Sequence, residues 1–196
     1  MSQRDDFPVS FPELTVDGFR LRDWVDEDVA PYFSWANNAD ILQNFGTPPL
    51  PNVEEAGKRI QVFKEQFVQK KGVFWSVVDT RTNQNMGRCQ LTDWNTADHR
   101  AAIGYLISRA YWNQGIMTRI VREVVRYSFE TTILNRIEGW VTTGNVASSR
   151  VLEKAGFQYE GLLREYERFN DEYESLWVYA VLRRDWLNLN SMTRIE

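Results

Sequence analysis

The spacing of apolar residues predicts a short β-hairpin and then a helix near the start of the chain. Apolar and polar residues alternate between positions 14 and 21 around the dipeptide Asp17-Gly18, which accepts the positive φ angles of a tight turn. Asp26 then stands where its side chain is expected to cap a helix that runs to about Asn37. We therefore expect two strands before the first helix.

The next stretch has helical periodicity followed by strand periodicity. Asn52 and Glu55 resemble a capping box for an amphipathic helix that ends near Gly72. Beyond it, β-branched and aromatic residues fill positions 73–79 and 86–94, on either side of a turn-like segment. These two segments are predicted to form an antiparallel hairpin.

Strands and helices alternate in the following part of the chain. A third strand is predicted over residues 101–108, and Gly115 opens a helix whose apolar residues recur at helical spacing. Another strand follows over residues 136–142. A short helix is then expected over residues 147–155, ended by Gly156 in the position of a left-handed C-cap.

Two final strands are predicted near residues 157–169 and 173–183, around a turn at Asn170-Asp171. The second half thus reads strand, strand, helix, strand, helix, strand, strand. This order is typical of an α/β fold with a mixed sheet and helices packed on its faces.

Length and composition agree with a single domain. The 196 residues can bury a sizeable core, and no repeat or linker-like tract divides them. No window approaches the roughly 18 consecutive apolar residues of a membrane span, and the first residues lack the apolar core of a signal peptide. We expect one domain over residues 1–196, with a core of about 10–187 and a short C-terminal tail, in the cytoplasm and without a membrane partner.

The charged and metal-binding residue types narrow the chemistry further. Cys89 is the only cysteine and His99 the only histidine, so an internal disulfide is excluded and neither a metal site nor a histidine-based triad is expected. A net charge of −4 argues against a nucleic-acid partner, because phosphate backbones attract clustered Lys and Arg. It is compatible with a cationic substrate.

The segment over residues 103–118 carries the most informative chemistry, because a strand, a short loop and a helix start follow one another there. Amide groups at a helix N-terminus attract phosphate, and Gly115 would let the backbone approach a diphosphate closely. Asn113 adopts a left-handed backbone at lower cost than most residues. A glycine equally permits an ordinary loop-to-helix turn, so the pattern alone leaves both interpretations open.

The same segment resembles the coenzyme A loop of the GNAT superfamily of N-acetyltransferases, usually written Gln/Arg-x-x-Gly-x-Gly/Ala. The second half of the chain is similar to the RimJ/RimL-like branch, which acetylates ribosomal-protein N-termini. The matching segments are Asn145-Val-Ala-Ser148, Val151-Leu-Glu-Lys-Ala-Gly-Phe157, Glu160-Gly161 and Arg164-Glu165. The likeness is close over residues 102–186, and over residues 14–94 it extends only to the order of elements.

The resemblance implies a GNAT fold, in which a mixed, mostly antiparallel central sheet carries helices on both faces. It also implies acetyl-CoA as cosubstrate, a primary amine as acceptor, no metal, and a homodimer as one known assembly. Splayed strands would offer backbone groups to the pantetheine arm at Leu106, Ile107 and Ser108, and a backbone N–H there would stabilise charge that develops on the acyl oxygen. The implied cofactor-binding residues are Leu106, Ile107, Ser108, Asn113, Gln114, Gly115, Ile116, Met117, Thr118, Asn145 and Ser148.

Two glutamates are candidates for the base that deprotonates the amine. Glu167 stands where RimL-type enzymes place a glutamate proposed for this role, which requires that burial raise its pKa toward 7. It is equally compatible with a surface glutamate paired with Arg164 or Arg168. Glu138 is the second candidate, and a solvated or helix-pairing carboxylate is the alternative there.

Ser148 is the expected donor to the leaving thiolate. Many family members use a tyrosine for this purpose at the position that Leu152 occupies here, and the RimL-like pattern offers Ser148 in its place. Asn145 would contact the pantetheine or orient the loop. Both residues could also simply cap the following helix, and the two roles can coexist.

Three functions stay open at this point. Acetylation of a protein N-terminus is favoured, because an α-amine with a pKa of about 7.7 to 8 is partly neutral near physiological pH, whereas lysine at about 10.4 rarely is. A small amine, such as a polyamine or an aminoglycoside-like compound, is the second candidate acceptor. A noncatalytic coenzyme A-binding module is the third possibility, because Trp112, Asn113 and Met117 depart from the usual loop pattern and the family's usual tyrosine is absent.

Overall fold

The computed structural model describes residues 4–42, 48–169 and 171–192. Within them lie eight strands, β1 (Leu14–Val16), β2 (Phe19–Arg22), β3 (Val73–Asp79), β4 (Gln84–Asn95), β5 (Arg100–Ile107), β6 (Arg136–Thr142), β7 (Gln158–Phe169) and β8 (Glu172–Leu182). The helices are α1 (Val29–Ala36), α2 (Ala39–Leu42), α3 (Val53–Val68), α4 (Ile116–Thr131), α5 (Val146–Lys154) and α6 (Arg183–Met192). The predicted alternation of elements is confirmed.

All eight strands belong to one sheet, in the order β1-β2-β3-β4-β5-β6-β8-β7. Neighbouring strands are antiparallel except β5 and β6, which are parallel and are connected through α4, as a parallel pair requires a crossover. The α/β class and the mixed, mostly antiparallel sheet are therefore confirmed.

Helices cover both faces of the sheet and enclose two hydrophobic cores. On one face, α4 buries an apolar stripe that includes Ile120, Val124 and Phe129, each fully inaccessible to solvent. On the other face, α1 and α3 pack around Trp24 and Phe63. Burial of a side chain of this size contributes roughly 1.5–3 kcal/mol, so these two cores hold the helices on the sheet.

Local capping signals are confirmed in two helices and wrong in a third. Asn52 accepts a hydrogen bond from the Glu55 amide at 2.9 Å, and Gly156 has the positive φ expected after α5. Asp26, however, does not cap α1, because a 3₁₀ turn over Asp26–Asp28 precedes that helix. Asp28 is the buried member of this turn, and its carboxylate binds Arg22 and the Val25 amide instead.

The C-terminal segment differs from the predicted strand end and tail. From Arg183 the chain forms α6 rather than continuing β8. The Arg183 guanidinium donates to the carbonyl oxygens of Phe129, Thr132 and Leu134, the last two lying just beyond α4. This contact fixes the start of α6 against the first core. Asn170, in the predicted final turn, lies outside the described residues.

The pairing of β5 with β6 is short. Arg100, Ala101 and Ala102 pair with Arg136, Ile137 and Glu138, and beyond these residues the two strands have no register partners in each other. Since β5 continues to Ile107 and β6 to Thr142, the sheet opens between them.

Candidate active site

A cleft of about 520 Å³ occupies the opening between β5 and β6. Its walls are residues 103–107 of β5, residues 139–141 of β6, the N-terminus of α4 and one side of α5. Asp40 and Ile41 of α2 line it from the opposite face of the sheet. The cleft therefore has access to both faces.

Backbone groups of β5 face this cleft at alternate residues. The Ser108 amide donates to a β4 carbonyl at 2.8 Å. Because antiparallel pairing turns every second residue toward the same neighbour, Leu106 also directs its backbone groups at β4, whereas Tyr105 and Ile107 direct theirs at the opening. The Ile107 carbonyl accepts the Trp112 indole N–H at 2.9 Å. The main-chain groups left for a ligand are therefore the N–H and carbonyl of Tyr105 and the N–H of Ile107.

The N-terminus of α4 presents unpaired amides at one end of the cleft. Gly115 is the N-cap residue, with a φ of 68°, and an added Cβ there would meet nothing within 4 Å. The Arg119 amide bonds the Gly115 carbonyl, so the amides of residues 116–118 have no acceptor within the helix. Asn113 adopts the predicted left-handed backbone, with a φ of 60°. This geometry suits an anionic ligand.

Two departures from the family pattern have packing roles. The Met117 side chain is buried in the first core, so α4 offers backbone rather than this side chain to a phosphate. Leu152 is also buried, and a Cβ at Gly139 would lie 2.7 Å from its Cδ1. Leucine at this position packs α5 directly onto β6.

The α5 side of the cleft carries positive charge. Arg150 and Lys154 line it, and cationic side chains form strong hydrogen bonds with phosphate oxygens. Among the acidic residues that the structure describes, Asp40 alone lines the cleft, and it lies 3.5 Å from Arg109. The cleft is therefore better suited to an anion than to a polycation.

Asn145 and Ser148 both line the cleft, and Asn145 also caps α5. Its Oδ1 accepts the Ser148 amide at 3.1 Å. The Ser148 Oγ lies 2.9 Å from the hydroxyl oxygen of Tyr105, a cleft residue that the sequence reasoning did not identify. The side-chain alternation of β5 could have placed Tyr105 on the α5 side, but not at this distance.

Two of the predicted cofactor-binding residues do not line the cleft, and the others do. Ser108 and Gln114 do not line the cleft, and the Gln114 side-chain Nε2 instead donates to the Ala110 carbonyl at 3.0 Å. All the other predicted cofactor residues do line it: Leu106, Ile107, Asn113, Gly115, Ile116, Met117, Thr118, Asn145 and Ser148. Trp140, Arg150 and Lys154 are lining residues that the motif did not indicate.

Neither predicted base lines the cleft. Glu167 is exposed on β7, opposite Glu174 of β8, so the burial that its role requires is not present in the free chain. Glu138 accepts a hydrogen bond from Arg136 at 2.6 Å, and Arg136 also binds Glu160, whose pKa it lowers. Glu138 is therefore an ion-paired side chain rather than a solvated one.

The described part of the chain holds neither a metal-binding cluster nor a membrane-spanning helix. In residues 4–42, 48–169 and 171–192, no three His, Cys, Asp or Glu side chains are grouped as a metal site would need. No helix in the same ranges is long and apolar enough to cross a bilayer.

Comparison with known sequences gives one family match and full-length relatives. Residues 19–158 match the model of the acetyltransferase (GNAT) domain. The chain is 32% identical over 173 residues to the uncharacterized N-acetyltransferase YoaA of Bacillus subtilis, covering 88% of this chain and 98% of that protein. It is 29% identical over 80 residues to the ribosomal-protein-serine acetyltransferase of Escherichia coli, covering 41% and 45% of the two chains.

Solved structures share the fold at low sequence identity. A GNAT-family acetyltransferase from Bacillus anthracis superposes with a TM-score of 0.78 at 18% identity, covering 88% of this chain and 99% of that one. RimL, a ribosomal alpha-N-protein acetyltransferase in complex with coenzyme A, gives 0.77 at 19%, covering 87% and 98%. Spermidine N-acetyltransferase from Vibrio cholerae, in complex with coenzyme A and spermine, gives 0.76 at 20%, covering 88% and 99%.

The loop that leads into α4 is anchored to the end of β3. The Tyr111 hydroxyl donates to the buried Asp79 carboxylate at 3.1 Å. Arg81 donates to the same carboxylate at 2.8 Å and 3.1 Å through its side chain and at 2.9 Å through its amide. These hydrogen bonds, with the Arg81 side chain foremost, lower the pKa of Asp79 from 3.8 to about 2. A charged Asp79 therefore holds the loop in place.

Replacement of Asp79 by Asn should remove one source of acid sensitivity. Because the folded pKa lies below the unfolded value, the stability from Asp79 is complete above about pH 4 and is lost as the pH falls toward 2. The variant should be about 1–3 kcal/mol less stable at neutral pH, and its free energy of unfolding should fall less than that of the wild type between these pH values. Urea unfolding across that range measures both effects.

The exposed Asp171, which pairs with Arg168, provides the control. Asp171→Asn should keep the wild-type pH dependence. If Asp79→Asn also kept it, the proposed anchoring of the loop by Asp79 would be wrong.

Proposed function

The chain belongs to the GNAT acetyltransferase family and is an N-acetyltransferase, and on that basis we propose that it acetylates the α-amine of a protein N-terminus, as ribosomal-protein acetyltransferases do. The observation that carries this proposal is the separation of β5 from β6 beyond Ala102 and Glu138, at the N-terminus of α4. We further propose that residues 1–196 act as one domain, with its core over about residues 10–187.

The groups along the cleft fit acetyl-CoA from one end to the other. The amides of residues 116–118 suit the diphosphate, and Arg150 and Lys154 suit further phosphate oxygens. The backbone groups of Tyr105 and Ile107 on the free edge of β5 can form hydrogen bonds with the amides of a pantetheine arm. Acetyl-CoA, when bound, supplies the activated acyl group.

The acceptor is argued from amine chemistry and from the charge of the cleft. An α-amine is partly neutral near pH 7 to 8 and can attack without a strong base. A polyamine would carry several positive charges to a cleft in which, among described residues, Asp40 is the sole acidic lining side chain. The E. coli relative named for a ribosomal-protein serine supports the same preference.

Three side chains are proposed for proton handling. Ser148 lines the cleft and is proposed as the donor to the departing sulfur. Glu167 is proposed as the base. Its place on the exposed β7–β8 hairpin means that the acceptor peptide itself would have to cover it and so raise its pKa. Glu138, bound to Arg136, is the weaker candidate.

Replacement of Gly115 by Ala should weaken coenzyme A binding. The new methyl group would stand on a left-handed residue that lines the cleft, at the helix N-terminus where the diphosphate is proposed to lie. We expect about a tenfold or greater loss of affinity in isothermal calorimetry, which corresponds to roughly 1.4 kcal/mol.

Gly18 gives a matched control for this change. It has a φ of 80°, an added Cβ would meet nothing within 4 Å, and it lies in the β1–β2 turn away from the cleft. Gly18→Ala therefore introduces the same backbone strain, of about 1–2 kcal/mol, without touching the ligand. Equal coenzyme A affinities in the two variants would refute the diphosphate placement.

The acceptor itself can be tested by thiol release from acetyl-CoA in the presence of a panel of amines. We expect turnover with peptides that carry a free N-terminus and little with spermidine or lysine side chains. Mass spectrometry of the peptides should locate the acetyl group on the α-amine. Turnover with spermidine alone would contradict the proposed acceptor and favour a small amine. Tight coenzyme A binding without turnover on any amine would favour a noncatalytic module.

Glu167→Gln in the same assay should lower turnover by about 10²-fold, the range typical of a positioned base, while coenzyme A affinity stays unchanged. Glu174→Gln is the control, because Glu174 lies directly opposite Glu167 in the β7–β8 register and is not proposed to act. If the two variants turned over equally, Glu167 would have no role in the mechanism and Glu138→Gln would be tested next.

A further inference from the structure

Tyr105 and Ser148 form a hydroxyl pair at the wall of the cleft. Tyr105 reaches from β5 to the first turn of α5, where its hydroxyl oxygen lies 2.9 Å from the Ser148 Oγ and 3.1 Å from the Ser148 carbonyl oxygen. Both residues line the cleft. We propose that Tyr105 is a positioning residue that aims the Ser148 hydroxyl at the sulfur of coenzyme A, an inference that rests on the proposed function.

The backbone of Ser148 is already fixed, which leaves only its hydroxyl to be oriented. The Asn145 side chain holds the Ser148 amide at 3.1 Å. A serine hydroxyl rotates freely unless a partner holds it. Tyr105 is that partner, since its phenol is the group found within hydrogen-bonding distance of Oγ.

The Tyr105 phenol has one proton, which it can donate to either of two Ser148 oxygens, so the pair has two possible arrangements. When Tyr105 donates to the Ser148 Oγ, the serine proton is free to point into the cleft. When Tyr105 donates to the Ser148 carbonyl, the serine hydroxyl donates its own hydrogen bond to the phenol oxygen and no longer points into the cleft. Burial raises the pKa of the Tyr105 phenol, so it keeps its proton and stays a donor near neutral pH. Negative charge on a neighbouring sulfur would favour the first arrangement.

The pair would act while the acyl group is transferred. The amine nitrogen forms a bond to the acyl carbon as the carbon–sulfur bond breaks, and that electron pair goes to sulfur. The Ser148 hydroxyl donates a hydrogen bond to sulfur and keeps its own proton. The nitrogen passes its proton through water to Glu167, the proposed base, which releases a proton to solvent, and a solvent proton completes the thiol. Donation from Tyr105 into Oγ makes Ser148 a stronger donor, because hydrogen bonds in a chain polarise one another.

Leu152 occupies the position where many family members carry a tyrosine. It packs α5 onto Gly139, where an added Cβ would lie 2.7 Å from the Leu152 Cδ1. The phenol comes instead from β5, and it reaches the sulfur only through Ser148.

The test measures the thiol of bound coenzyme A and needs no acceptor. A hydrogen bond to the thiolate favours the charged form, so the bound thiol should have a lower pKa than the free thiol and coenzyme A should bind more tightly as the pH rises through it. Calorimetry across pH and the ultraviolet absorbance of the thiolate both report this pKa. Tyr105→Phe and Ser148→Ala should each weaken thiolate binding by about three- to tenfold, with little change for the neutral thiol.

The double variant separates a positioning role from an independent one. If Tyr105 acts only through Ser148, Tyr105→Phe combined with Ser148→Ala should bind the thiolate no more weakly than Ser148→Ala alone. Tyr105→Phe should also lower kcat with peptide acceptors while leaving the KM for acetyl-CoA unchanged. Tyr127→Phe, on a half-buried tyrosine of α4 outside this cleft, should leave the thiol pKa and kcat at wild-type values.

The outcomes are distinct for the two proposals. Failure of the wild type to bind coenzyme A would overturn the proposed function and this inference with it. Wild-type binding with an identical thiol pKa in Tyr105→Phe would overturn the inference alone. Additive losses in the double variant would likewise contradict action through Ser148.

Discussion

The site depends on a single interruption of hydrogen bonding, the end of β5–β6 pairing after Ala102 and Glu138. A strand edge that loses its neighbour leaves amide and carbonyl groups without partners, which is unfavourable unless something else binds them. Trp112 satisfies one such group, the Ile107 carbonyl. The other edge groups face a cleft, and an extended ligand with its own amides can take the place of the missing strand.

Because the interruption lies in the middle of the sheet, it connects the two faces, which a continuous sheet would keep apart. Gly139 faces α5, whereas its neighbour Trp140 points to the opposite face and contacts Tyr166 with ring centroids 6.1 Å apart. Asp40 and Ile41 line the cleft from that second face as well. The N-terminus of α4 and Ser148 lie on the first face. Two ligands, such as the proposed cosubstrate and acceptor, can therefore approach the same opening from opposite sides.

What the sequence predicted correctly was governed by local rules. Asn52 caps α3 through an amide three residues away, and Asn113 takes its left-handed backbone because of its own side chain. Asp26 failed because a competing acidic residue, Asp28, is buried with Arg22, and spacing does not reveal which of two nearby carboxylates is buried.

The features that the sequence did not predict arise from contacts between distant segments. Tyr105 meets Ser148 across 43 positions, and Arg183 reaches the carbonyls around the end of α4 across about 50. The exposure of Glu167 likewise depends on how the β7–β8 hairpin projects from the sheet. The motif indicated the loop and the start of α4, but it could not show which distant residues contact them. The sequence thus predicted most of the residues that line the cleft along β5 and α4, whereas neither of the two glutamates predicted as the base lines it.

The loop before α4 shows how the chain prepares for a ligand before the ligand arrives. Asn113, as a non-glycine residue with positive φ, costs of order 1 kcal/mol. Three hydrogen bonds offset this strain, from Tyr111 to Asp79, from Trp112 to Ile107 and from Gln114 to Ala110, at roughly 0.5–1.5 kcal/mol each. Because these contacts lie within the protein, the loop holds its shape without a ligand. The amides at the start of α4 are therefore already oriented in the free chain, and binding of the proposed diphosphate would not have to supply the free energy of ordering them.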